Sequence, residues 1–133
     1  MPIKKNDSRQ EIILAYVDIG FADIPTTATA YEALGLPVGA VVVGGAIVVK
    51  TAFNTATSAV LAVGDVTTAN RYAAAVDLKT VARTALTLTG FSHSAVQNML
   101  RATPTYVGAA ATAGAARLEV QYYVEGRAAF TQG

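Results

Sequence analysis

The sequence predicts an all-β fold, a single antiparallel β-sandwich carrying an extended N-terminal arm, and three observations carry that prediction. The segment Arg117 to Glu125 alternates without a break: Leu118, Val120, Tyr122 and Val124 fall on one side, and Arg117, Glu119, Gln121 and Glu125 on the other. This is the period-2 signature of a half-buried strand. Short apolar runs separated by turn residues recur along the chain, about seven or eight strands at sandwich-like spacing. No long amphipathic helical pattern competes with them.

The elements follow in order. Residues 1–10 are too polar to join a core and read as an extended arm, which leaves residues 11–133 as the sandwich domain. Glu11 to Ile19 is a strand, with Ile12, Leu14 and Tyr16 facing one way and Ile13, Ala15 and Val17 the other. Gly20 to Pro37 reads as a loop with a short helical turn near Ala30–Leu34. It carries Phe21, Tyr31 and Leu36, and a loop that apolar is expected to lie against another surface.

Between Glu32 and Lys50 no ionisable residue occurs, which invites a membrane reading. The run is shorter than the ~20 residues a spanning helix needs. It is also broken by Pro37 and by Gly35, Gly39, Gly44 and Gly45. Its large residues, Val41, Val42, Val43, Ile47, Val48 and Val49, fit a strand buried on both faces, with Gly44–Gly45 as a bulge or bend. No membrane partner is expected.

Ser58–Val63, Tyr72–Leu78 and Arg83–Thr89 read as further strands, punctuated by Gly64–Asp65, Asn70 and Gly90. Ala95 to Ala102 fits a helical turn or a strand, with strand preferred, and Pro104 is expected to end it. Gly108 to Ala116 is a Gly/Ala/Thr loop leading into the final alternating strand.

Composition limits what such a domain does. A chain of 133 residues buries one core. Its 53% hydrophobic content exceeds the usual ~45–50%, and its 14% charged content lies below the usual ~25%. Contact with other subunits accounts for such an excess. A net charge of +1 gives no field for nucleic acid or an anionic membrane. Arg71, Lys79, Arg83 and Arg101, with Asp77 among them, read as a solvated face, because no aromatic interleaving supports base stacking. The chain has no cysteine, which excludes disulfides and thiol chemistry. Its N-terminus has no export-signal pattern.

Residues able to do chemistry are few. His93 is the only histidine and sits in Phe91–Ser92–His93–Ser94, read as an exposed turn. Adjacent Ser and His side chains point to opposite faces and make no dyad. Glu119 and Glu125 share a strand face roughly 20 Å apart, against the ~5–9.5 Å a glycosidase pair needs. Asp18 and Asp23 flank a turn without a calcium-loop pattern and read as turn-stabilising. No phosphate-cradling glycine motif occurs. Tyr123, facing outward, forms a sugar platform with Tyr72 or Tyr106 on a lectin-like reading, and an interface contact on the simpler one. No enzyme and no cofactor are expected.

Several segments carry a resemblance. Gly64–Asp65, Asn70–Arg71–Tyr72, Val76–Asp77–Leu78–Lys79, Ala82 to Gly90 and Ala113 to Arg127 resemble the small capsid cement, or decoration, proteins of tailed phages, over roughly half the chain. The resemblance implies a jelly-roll-like sandwich on the outside of an icosahedral head, a homodimer or homotrimer with the dimer favoured, bridging capsomers of the major capsid protein. It implies residence on the outer surface of virions assembled in the host cytoplasm. Lys4, Lys5 and Arg9 of the arm are expected to meet acidic shell residues. Phe21, Tyr31, Leu36, Tyr123, Arg127 and Phe130 are expected to meet the shell or a neighbouring subunit. A tail or head-fibre component, and a lectin-like binding module, are the alternatives.

Overall fold

A computed structural model describes residues 11–55, 57–93, 99–109 and 111–124. The described residues form nine strands and no helix: β1 (Ile13–Gly20), β2 (Tyr31–Gly35), β3 (Ala40–Thr51), β4 (Ser58–Gly64), β5 (Ala73–Asp77), β6 (Arg83–Ala85), β7 (Ser92–His93), β8 (Met99–Val107) and β9 (Ala115–Val124). All pairings are antiparallel. One sheet runs β1-β9-β3-β6, with β7 also on β3, and the other runs β2-β8-β4-β5. The arm, residues 1–10, and the tail from Glu125 onward lie outside the described residues, as does the first half of the segment from Ala95 to Ala102.

β9 bears out the alternation that predicted it. Leu118, Val120, Tyr122 and Val124 are buried, while Arg117 and Glu119 are half-buried and Gln121 exposed. Lying between β1 and β3, the strand pairs Leu118 with Val17 on one side and with Ile47 on the other. Its apolar face meets the second sheet, where Ala59, Leu61 and Val63 of β4 and Leu100 and Ala102 of β8 complete one core. Each large aliphatic side chain so buried contributes about 1.5–3 kcal/mol.

β3 is buried on both faces at Ala40, Val41 and Val42, as its unbroken apolar run predicts. The ladder to β9 slips between Val42 and Gly44, so the expected bulge is present but its extra residue is Val43, just before the glycine pair. Gly45 has φ +146, and a Cβ there would collide with the Glu119 carbonyl and come within 2.8 Å of Leu86.

Four expectations are corrected. The helical turn near Ala30–Leu34 is instead β2, because Tyr31 and Glu32 find ladder partners in Ala102 and Arg101. Pro104 does not end a segment; it sits inside β8, opposite Leu61 of β4. Its missing N–H falls on the side beyond the end of β2, where the carbonyl of Pro104 accepts from Ala28 and the N–H of Tyr106 donates to Thr27 Oγ1. The Arg83–Thr89 strand shortens to three residues. His93 is not an exposed turn residue: β7 pairs with Ala40 and Val41, and the ring is 3% exposed.

Candidate interaction surface

Two features stand out from the fold. The first is a buried polar cluster between the sheets. Asp65, in the turn after β4, accepts from the N–H groups of Thr67 (3.0 Å) and Thr68 (2.7 Å) and from Arg71 Nε. The Arg71 guanidinium lies 3.6 Å from the centroid of Phe91, a cation–π contact. Phe91 meets His93 edge-on at 5.1 Å, and His93 Nε2 bonds the Tyr72 hydroxyl at 2.7 Å. His93 Nδ1 stands 4.0 Å from Asp65 Oδ2. The Asp65 charge on the Nδ1 side favours the tautomer protonated there, with Nε2 accepting from Tyr72.

The environment of each group has a definite electrostatic effect. Burial pushes the Tyr72 phenol up to about 12, so it remains a neutral donor. Burial drives His93 down, the Asp65 charge opposing and the Arg71 charge reinforcing the shift. Burial pushes Asp65 upward, but hydrogen bonds from Thr68 and Arg71 outweigh it and hold the carboxyl below its usual value. Every member is thus engaged in packing, and the cluster pins β7 of one sheet to the β4–β5 turn of the other.

The second feature is the β1 edge. Ile12, Leu14 and Tyr16 are 59%, 57% and 57% exposed, and Ile13 is 44% exposed. The only charge in the strand, Asp18, is bonded by Arg117 Nε at 2.8 Å and faces Lys50 Nζ at 3.6 Å. The Arg117 hydrogen bond holds its carboxyl below the usual range. Arg117 also lies over the Tyr16 ring at 4.6 Å. The sequence reading placed Ile12, Leu14 and Tyr16 on one face without marking it as a surface. Its signal was that both faces of the strand are apolar, while a single chain covers only one.

The expected contact residues are distributed unevenly. Phe21 and Tyr31 are half-buried against the core, and Tyr31 accepts from the Thr26 N–H at 3.0 Å. Leu36 is 7% exposed, so its side chain serves the core of the chain itself. Tyr123 is half-buried on the outward face of β9, opposite Val41. Lys4, Lys5, Arg9, Arg127 and Phe130 lie outside the described residues. The sugar platform does not assemble: Tyr72 is 1% exposed, and the Tyr106 hydroxyl donates to the Ile24 carbonyl at 2.7 Å. Asp23 stabilises its turn as expected, accepting from the Gly20 N–H. Of the basic residues, Arg71 belongs to the buried cluster and the Lys79 ammonium donates to the Thr55 carbonyl.

No protein-family model matches the sequence, and no curated protein is similar to it at a significant level. Solved structures are similar. A chain of the capsid asymmetric unit of cyanophage Pam1 superposes with a TM-score of 0.72 at 25% identity, covering 93% of this chain and 92% of that one. A chain of the capsid of Ralstonia phage GP4 superposes with a TM-score of 0.58 at 19% identity, covering 96% and 93%. The chain is an all-β, two-sheet protein whose fold recurs in chains of phage capsids.

Proposed function

We propose that this chain is a structural protein of a phage virion that binds the outside of an icosahedral head and stabilises it by bridging capsomers. The observation that carries the reading is its likeness, along more than nine-tenths of both chains, to a chain of the Pam1 capsid. The fold supports this physical role. A head filled with packaged DNA needs added contacts across capsomer boundaries, and a rigid sandwich with an exposed apolar edge supplies them in many copies, each modest by itself. The partner is the major capsid protein. Lys4, Lys5 and Arg9 meet acidic residues of the shell, and Arg127, Phe130 and the outward Tyr123 meet a neighbouring subunit. The reading gives the chain no catalytic step and no cofactor.

The test is the molar ratio of this chain to the major capsid protein in purified virions, by quantitative mass spectrometry. A ratio near one, or a simple fraction such as a third, is the expected result. A ratio of a few per cent would move the chain to the tail or the portal and overturn the reading.

A further inference from the structure

The open edge of β1 has a geometry that selects its occupant. Phe21 donates its N–H to the Gly114 carbonyl at 3.1 Å on the β9 side. Backbone groups alternate in direction along an antiparallel ladder, so the odd-numbered residues of β1 bond β9. The even-numbered ones direct their N–H and C=O groups away from the sheet. At Gly20 that outward N–H is taken by Asp23 Oδ2 at 2.7 Å. Among the described residues, the open stretch therefore runs from Ile12 to Asp18, a row of backbone groups without a ladder partner, flanked by exposed Ile12, Ile13, Leu14 and Tyr16. Strand edges are ordinarily protected by charge, proline or a bulge. This one has Asp18 alone, and Arg117 and Lys50 neutralise it.

We propose that β1 pairs along this edge with β1 of a second copy of the chain, antiparallel and two-fold symmetric, with Leu14 opposite Leu14. Charge placement selects that register. Centred on Leu14, the apolar run 12–16 is opposed only to itself: Ile12 meets Tyr16, Ile13 meets Ala15, and among the described residues the one charge opposite an apolar residue is Glu11 against Val17, outside the run. Asp18 stays beyond the run with Arg117 and Lys50. Centred on Ala15, Asp18 would face Ile12. Centred on Tyr16, it would face Leu14, and the pairing would need the Gly20 N–H already bound by Asp23. Leu14 is also even-numbered, so its outward N–H and C=O meet those of its counterpart in a hydrogen-bonded pair. The axis stands perpendicular to the sheet, so Tyr123 of each copy extends the same apolar face. The pairing joins two four-strand paths into one continuous sheet.

The inference names the partner of the apolar edge invoked in the proposed function, and its test is made off the capsid so that the two fail separately. The chain contains no cysteine, so Leu14→Cys introduces a single thiol. Opposed residues of a hydrogen-bonded pair have Cα atoms about 5.5 Å apart, within the ~4.4–6.8 Å a disulfide spans. Under mild oxidation Leu14→Cys should run on a non-reducing gel at twice the 13.7 kDa chain mass. Asn70→Cys, exposed on a turn of the other sheet, should stay at the single mass. Mixed Ile12→Cys and Tyr16→Cys chains should cross-link to each other in preference to themselves. Dimer formation by Leu14→Cys no greater than by Asn70→Cys overturns the proposal. A Leu14→Cys chain that stays at the single mass off the capsid leaves the edge to a strand of another protein.

Discussion

His93 is a buried residue whose surroundings tie stability to pH. Burial favours its neutral form, so the folded chain binds its proton less readily than the unfolded chain does. The stability that depends on neutral His93 is fully present above the unfolded value of about 6.5. It is lost as pH falls through that value toward the lower folded one. Urea midpoints measured from pH 7.5 to pH 5 should therefore fall for the native sequence and stay level for His93→Gln; equal slopes would refute the assignment. The lowered carboxyls of Asp65, Asp18 and Asp77 act at lower pH, where protonation removes their contribution. Tyr72→Phe, which orphans the buried His93 Nε2, should cost about 1–3 kcal/mol at neutral pH. None of this was legible in Phe91–Ser92–His93–Ser94, whose flanking glycine and serines read as a turn. The ring is buried because β7 finds its ladder in Ala40 and Val41, distant in sequence.

Among the elements, β3 has a strict local requirement just past its bulge. Gly45 holds a positive φ between β9 and Leu86, with the Glu119 carbonyl where a Cβ would stand. Gly45→Ala combines backbone strain with overpacking and should destabilise by roughly 2–5 kcal/mol. The thermal midpoint checks it, and a variant as stable as the native chain would show that the bulge relaxes freely. The bulge was readable because two glycines interrupt a β-branched run. Pro104 was misread for the complementary reason. A proline usually breaks a ladder, but here β2 ends at Tyr31 opposite Ala102, and the missing donor leaves no strand acceptor unpaired. β2 itself was missed because Tyr31–Gly35 has weak strand character until Met99–Ala102 lies beside it.

For the whole molecule, the core formed by the described residues begins at Ile19 and draws on both sheets. Residues 1–10 hold seven polar or charged side chains' worth of Lys, Asn, Asp, Ser, Arg and Gln and only Met1, Pro2 and Ile3 as apolar ones, so they have little to add to it. Deleting those ten residues should leave the thermal midpoint within a few degrees of native while weakening attachment to heads. A truncated chain that decorates heads fully would remove the arm from the contact set, and one that unfolds would return it to the fold. The composition fits the proposed role at this scale: a chain with 53% hydrophobic residues leaves Ile12, Leu14 and Tyr16 uncovered, a surface that assembly would cover.

Period and composition were enough to set the all-β class, the buried and open faces of β9, the double burial and bulge of β3, and the poverty of reactive groups. Each of those properties is written within a few residues of chain. The assembled sheets were needed to make His93 a core residue, to put Pro104 within a strand, to bury Leu36 and to leave β1 as the uncovered apolar surface. Each of these depends on which distant strand becomes the neighbour, because pairing across the sheet sets both burial and the fate of every backbone hydrogen-bonding group.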